Sequence, residues 1–205
     1  MKRKMALLMV SLLSMIFVLG GCGSSSTSSK EIALSELFKN DVIIYRCSAS
    51  EGKTFEGKDE KITSAWHLKA DGTFTHYDVS EKLGVFAQQT DEEVIASFTE
   101  IEYSGNYKLG IDTDATGNTA ETEGILYENT SWENLDYGTV KLGTYGGHVT
   151  IYDSSYILFQ NPSQYGSTEF CLIKDTADTK DKDVIFDTVG TEGICVDMIA
   201  KEAFK

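Results

Sequence analysis

The amino-acid sequence predicts a mostly β fold, an antiparallel barrel or sandwich with one or two short helices. Two observations carry this prediction: from Val42 onward, short runs of β-branched and aromatic residues alternate with Gly, Asp, Asn and Thr, and few helical patterns come between them. Strands of this spacing, separated by turn residues, are typical of all-β domains. The ten runs are VIIYRCS, ITSAWHLK, TFTHYDV, YSGNYKL, GILYE, GTVKLGT, HVTIYD, SYILFQ, EFCLIK and DVIFDT.

Two segments predict helices instead. In residues 90–100, Thr90 and Glu93 form a capping box ahead of an apolar stripe, which is a typical helix start. Residues 29–39 have apolar side chains near helical spacing, so we expect a short helix there as well. The apolar residues of this second segment are Ile32, Leu34, Leu37 and Phe38.

The register of the hairpin WHLKADGTFTH decides whether two histidines meet across the strands. A two-residue turn would set His67 opposite His76, which is the start of a metal site. A type I turn with a glycine bulge would instead set Trp66 opposite His76 and place Trp66, Leu68 and Phe74 on one face. We favour the bulged turn because a slip would expose this apolar stripe.

The first 22 residues predict export and a lipid anchor. Three basic residues, Lys2 to Lys4, precede an apolar run from Met5 to Leu19. At 15 residues this run is shorter than the about 20 that a membrane-spanning helix needs, so it is typical of a secretory signal. The exit, LGGC, resembles the bacterial lipobox, in which the cysteine takes a diacylglyceryl group and the chain is cut just before it.

This resemblance implies three parts of the chain. Residues 1–21 are the signal peptide, 22–30 are the lipidated Cys22 and a Ser-rich tether, and 31–205 form a single β-rich domain. Two acyl chains, with palmitate among them, would hold Cys22 firmly at the extracytoplasmic face of the cell membrane. The tether has no apolar side chain to bury, so we expect it to be flexible.

The charge balance limits the partners. The net charge is −14, and loss of the three basic residues of the signal makes it −17. Such a charge disfavours nucleic acid and anionic membrane surfaces. It is compatible with cations, with cationic partners, or simply with solubility.

A second resemblance concerns the domain itself. WHLKADGTFTHYD followed by YSGNYKLG resembles the lipocalin-like (calycin) β-barrels of bacterial lipoproteins, and residues 57–98 resemble Gram-positive surface lipoproteins of uncharacterised function. The first likeness implies a barrel with an internal ligand cup. Neither likeness implies catalytic residues.

One acidic loop, DTDATGNTAETE, is a candidate calcium site. Oxygen-bearing side chains and a carbonyl would wrap the ion, and Gly117 would permit the sharp turn. Strand-like segments flank the loop, so a polar hairpin connection is the alternative. The candidate ligands are Asp112, Asp114, Thr116, Asn118 and Glu123.

Three cysteines other than Cys22 allow at most one disulfide. Cys47 and Cys171 lie in strand-like runs, where buried thiols are expected. Cys195 is the third, and the sequence leaves the pairing open.

The function predicted from these features is non-enzymatic binding. The sequence has no Gly-x-Ser-x-Gly elbow, no His-Glu-x-x-His and no glycine-rich phosphate loop. We expect a small apolar or glycan-like ligand, or a protein partner, with no cofactor beyond the candidate calcium. The alternative is a structural or interaction module of the envelope without an internal ligand. The aromatic residues predicted to line the ligand site are Trp66, Tyr77, Tyr107 and Trp132.

Overall fold

Antiparallel β-sheet makes up most of the structure, a computed structural model that describes residues 30–113, 119–131, 136–140, 142–162, 166–176 and 179–185. The strands are β1 (Ile32–Ala33), β2 (Val42–Cys47), β3 (Ser50–Glu51), β4 (Lys61–Leu68), β5 (Thr73–Lys82), β6 (Glu100–Thr113), β7 (Thr119–Asn129), β8 (Asp136–Val140), β9 (Thr144–Ile151), β10 (Ser154–Pro162), β11 (Ser167–Lys174) and β12 (Val184–Ile185). The helices are α1 (Leu34–Leu37), α2 (Leu83–Phe86) and α3 (Asp91–Ser97), with a 3₁₀ turn at Gly57–Asp59. None of these helices is long and apolar enough to cross a bilayer.

The predicted fold class is confirmed at the level of a mostly antiparallel β domain. Each of the ten predicted runs overlaps a strand, and both predicted helices are present as α1 and α3. The capping box at Thr90 and Glu93 has both of its hydrogen bonds. Helix α2 and the short strands β1 and β3 were not predicted.

The main sheet follows the order β8-β7-β6-β5-β4-β2-β11-β10-β9, and β3 pairs onto β11. In the part of the chain that the structure describes, no ladder joins the end strands β8 and β9, so the sheet is open there. The small strands β1 and β12 form a separate parallel pair.

The sheet curls around one of its faces. The rings of Trp66 on β4 and Tyr127 on β7 lie 5.1 Å apart, although two strands separate them. Three strand-to-strand spacings add up to about 14 Å in a flat sheet. Because the two rings are much closer than that, the sheet is curved and these side chains meet over its concave face. Leu37 and Phe38 of the α1 segment pack into the same core.

The convex face is covered by α2 and α3. Tyr45 on β2 stacks on Phe86 of α2 at 5.3 Å, and Leu83 and Val94 are fully buried in this second core. At Gly84 a side chain would begin 2.8 Å from the Lys58 carbonyl oxygen, so only glycine lets α2 lie this close to the 3₁₀ turn.

The hairpin adopts the predicted bulged turn. Trp66 lies opposite His76 and Leu68 opposite Phe74, so the two histidines do not pair. Gly72 has φ +86°, and its N–H donates to the Lys69 carbonyl at 3.0 Å.

Cys47 and Cys171 are buried thiols that form no disulfide within the described residues, and their strand-like contexts predict this burial. They point to different faces, because Cys47 belongs to the convex core and Cys171 to the concave core. Burial raises the pKa of each thiol to about 12, so both are protonated at neutral pH. Cys195 lies outside the described residues.

Candidate functional site

The four residues predicted to line a ligand site do not form one group. Trp66 and Tyr107 belong to the concave core. Tyr77 lies on the convex side, where its ring packs against Phe98 at 4.8 Å. Trp132 lies outside the described residues.

Aromatic rings fill the concave face around Trp66. The indole is only 2% exposed, and its ring lies between 4.6 and 5.4 Å from four neighbouring rings. Rings at these separations make favourable contacts with one another. These neighbours are Phe74, His76, Tyr103 and Tyr127.

Arg46 adds a charge to this aromatic group. Its Nη2 donates to Glu169 Oε1 at 2.7 Å, and a guanidinium keeps its charge at any physiological pH. The Nε–H of Arg46 and the indole N–H of Trp66 are buried and have no acceptor among the described residues. The register places both side chains on the concave face of adjacent strands, as diagonal neighbours.

His148 lies in a closed hydrogen-bonded network. Its Nδ1 is 2.7 Å from the Tyr145 hydroxyl, and its Nε2 is 3.1 Å from Thr179 Oγ1. The Thr179 amide donates to Asp175 at 2.8 Å. Burial lowers the pKa of His148 although Asp175 opposes the shift. These hydrogen bonds therefore connect Asp175 and Thr179 to β9 through the neutral imidazole ring of His148.

The candidate calcium segment overlaps the end of β6 and the start of β7. Asp112 is in β6 and Glu123 is in β7, where its Cα partner is Ile111. Asp114, Thr116 and Asn118 lie outside the described residues. Within the described ranges, no three His, Cys, Asp or Glu side chains are placed to hold a metal ion.

Two grooves border the α2 and α3 helices. The first, about 420 Å³, lies between the end of β5, the two helices and the start of β6. Its apolar floor comes from Val79, Phe86 and Phe98, and Val85 stands at its side. Its polar lining consists of Asp78, Ser80, Glu81, Gln89, Ser97, Thr99 and Glu100.

The second groove, about 650 Å³, lies along the α2–α3 connection and the start of α3, and Gln89 lines both grooves. The β9–β10 turn supplies Tyr152 and Asp153. Tyr152 has φ +53°, a conformation that residues other than glycine rarely adopt. The remaining lining comes from Ala87, Gln88, Thr90, Asp91, Glu92 and Lys174.

Two of the three exposed large hydrophobic side chains of the described chain line these grooves. Val85 is 39% exposed and lines the first groove, and Tyr152 is 52% exposed and lines the second. Ile101, at 65%, directly follows Glu100 of the first groove. We call the two grooves together with Ile101 the α2–α3 face.

Local structure explains how the α2–α3 face is held in place. The Thr90 hydroxyl accepts from the Glu93 amide at 3.3 Å, and the Glu93 carboxylate accepts from the Thr90 amide at 2.8 Å. These bonds fix the start of α3 between the grooves. Phe98 then packs edge-on against Phe86 at 5.7 Å, which joins the end of α3 to α2.

Sequence reasoning missed the α2–α3 face because it missed α2. The signal was present: Leu83, Phe86 and Ala87 are spaced as one buried side of a helix, and all three are buried. Arg46 was also missed, although an arginine inside the apolar run VIIYRCS indicates a charge facing a core.

No protein-family model, curated protein or solved structure matches this chain.

Proposed function

We propose that this chain is a lipid-anchored, extracytoplasmic binding protein, non-enzymatic, that holds a partner on its α2–α3 face. One observation carries the proposal: two of the three exposed large hydrophobic residues of the described chain, Val85 and Tyr152, line the grooves of this face, and the third, Ile101, follows Glu100 of the first groove in the chain. Exposed apolar side chains that gather at a concavity are typical of binding sites. The lipobox-like exit at Cys22 supports the anchor.

We also propose that the domain is lipocalin-like. Its support is the strand order: β4 to β8 are neighbours in sequence and in the sheet, as are β9 to β11, and β11 returns to β2. This is the order of an up-and-down barrel that is open between its end strands. The rings around Trp66 pack against one another on the inner face, which favours a binding site on the outside.

Photo-cross-linking in the native host tests the binding face. A photoreactive amino acid replaces Val85, Ile101 or Glu51 in the full chain, Glu51 being an exposed residue of β3 away from the grooves. We expect a discrete adduct from positions 85 and 101 and none from position 51. Adducts of equal yield at all three positions, or at position 51 alone, would contradict the proposal.

A small ligand on the concave face is the second candidate. It is favoured by the two buried N–H groups of Arg46 and Trp66 that have no acceptor among the described residues. A ligand with an aromatic body and a carbonyl or carboxylate oxygen would satisfy both. Native mass spectrometry of the protein purified from its host should then show an added mass that Trp66→Phe lacks. A bare mass for both proteins would exclude a bound ligand at this position.

A further inference from the structure

We infer that the partner held on the α2–α3 face is a cationic segment of another protein that carries apolar side chains. This inference rests on the proposed function, because it names the chemistry of the partner bound at the same face. Three features of the face support it: the charges that line the grooves, the exposed apolar groups, and the path that joins the two grooves.

Negative charge dominates both grooves. Six carboxylates line them, against one lysine. That lysine, Lys174, donates to Asp91 Oδ1 at 2.7 Å, so it adds no free positive charge. The six carboxylates are Asp78, Glu81, Asp91, Glu92, Glu100 and Asp153.

Most of these carboxylates have no counter-charge. Within the part of the chain that the structure describes, four of them make no hydrogen bond or ion pair. A bound partner would lower their mutual repulsion only if it carried positive charge. The four are Asp78, Glu92, Glu100 and Asp153.

The apolar groups exclude a purely ionic partner. Val85 and Tyr152 are each more than a third exposed and line the grooves together with the carboxylates, and Ile101, also exposed, follows Glu100 in the chain. Covering this surface takes apolar side chains, because burial of apolar area stabilises a complex. A simple cation or a polyamine would leave these side chains in water.

The two grooves can accept one continuous chain. Gln89 lines both, so the grooves meet over the α2–α3 connection. A peptide segment that crosses this point would place side chains into each groove, in the manner of other peptide-binding grooves. The net charge of −14 repels nucleic acid and anionic lipid and would steer a basic segment towards the face.

Peptide binding to the full chain tests this inference. Three probes of one length are used: a Lys/Leu amphipathic peptide, its Glu/Leu counterpart and a Gln/Leu counterpart. Fluorescence anisotropy measures their dissociation constants at low and at physiological salt. We expect the Lys/Leu peptide to bind at least about tenfold more tightly than the other two, with the difference shrinking as salt rises.

Two double variants with the same change in net charge distinguish binding in the grooves from attraction by the net charge of the whole protein. Glu81→Gln with Glu100→Gln removes two charges from the first groove, and Glu31→Gln with Glu51→Gln removes two exposed charges elsewhere. The groove variant should bind the Lys/Leu peptide about tenfold more weakly, and the control should change by less than about twofold. Equal weakening in both would overturn the inference, because the attraction would then be non-specific.

Failure of the inference is distinguishable from failure of the proposed function. Equal binding of all three peptides, together with cross-links at position 85, would mean that the face binds an uncharged partner such as a neutral glycan or an apolar segment. That result overturns the inference and leaves the proposed function standing. Loss of both the preference and the cross-links overturns both.

Discussion

His76 shows how burial sets the charge of a single side chain. Its ring is 6% exposed and stacks on Tyr103 at 4.6 Å. Burial, and then the charge of Arg46, lower the pKa of His76 to about 4, although Asp78 acts in the other direction. Glu102 Oε2 lies 2.8 Å from Nδ1, and this half-exposed carboxylate favours the protonated ring, so it also acts against burial.

The low pKa of His76 predicts that the protein loses stability in mild acid. Below pH 6.5 His76 binds a proton in the unfolded chain, whereas in the folded chain its ring stays neutral down to about pH 4. Stability is therefore lost as pH falls through this window, by about 2 kcal/mol between pH 7 and pH 5. Urea unfolding of the protein and of His76→Phe measures this loss.

The comparison at each pH isolates the histidine. His76→Phe keeps a ring of similar shape and removes the titration, so its unfolding free energy should fall less between pH 7 and pH 5. If the two proteins lost the same free energy over this range, His76 would not be the group responsible.

At the scale of the element, α3 depends on its cap. Thr90→Ala removes the hydroxyl that accepts from the Glu93 amide, and loss of such a cap costs about 1 kcal/mol. Thr54→Ala, at an exposed loop position, is the matched control and should change the unfolding free energy by less than about 0.5 kcal/mol. Chemical denaturation measures both. Equal small losses would mean that α3 is held by packing at Val94 and Phe98 instead.

Most of the strands could be predicted because their signals are local. The bulged turn at Gly72 and the stripe of Trp66, Leu68 and Phe74 fix a register within a dozen residues. The cap at Thr90 is equally local. Elements of this kind depend on neighbours in sequence, so one chain suffices to find them.

The pair β1–β12 and the α2–α3 face could not be predicted in the same way. Ile32 meets Val184 only after the sheet has formed, and two residues carry no pattern of their own. Val79 is half-buried and Val85 exposed, although both are valines in one short segment. Their exposure is decided by how α2 packs on the sheet, which is a property of the tertiary structure.

At the scale of the whole molecule, the proposed attachment to the membrane would depend on one atom, the sulfur of Cys22. We expect labelled palmitate to be incorporated into the wild-type protein and not into Cys22→Ala. Cys195→Ala is the matched control and should keep the label. Label retained by Cys22→Ala would show that the anchor is elsewhere.

The position of β1 has a mechanical consequence. Tension applied through the proposed N-terminal anchor would reach the described strands at Ile32, whose N–H donates to the Asp183 carbonyl at 2.7 Å. Under this tension the two residue pairs of β1–β12 would separate first. The α1 segment would then lose its contacts with the concave core. Strand β2, held between β4 and β11, would then resist. The α2–α3 face lies beyond this point in the force path, so tension on the proposed anchor would be absorbed before it deformed the proposed binding surface.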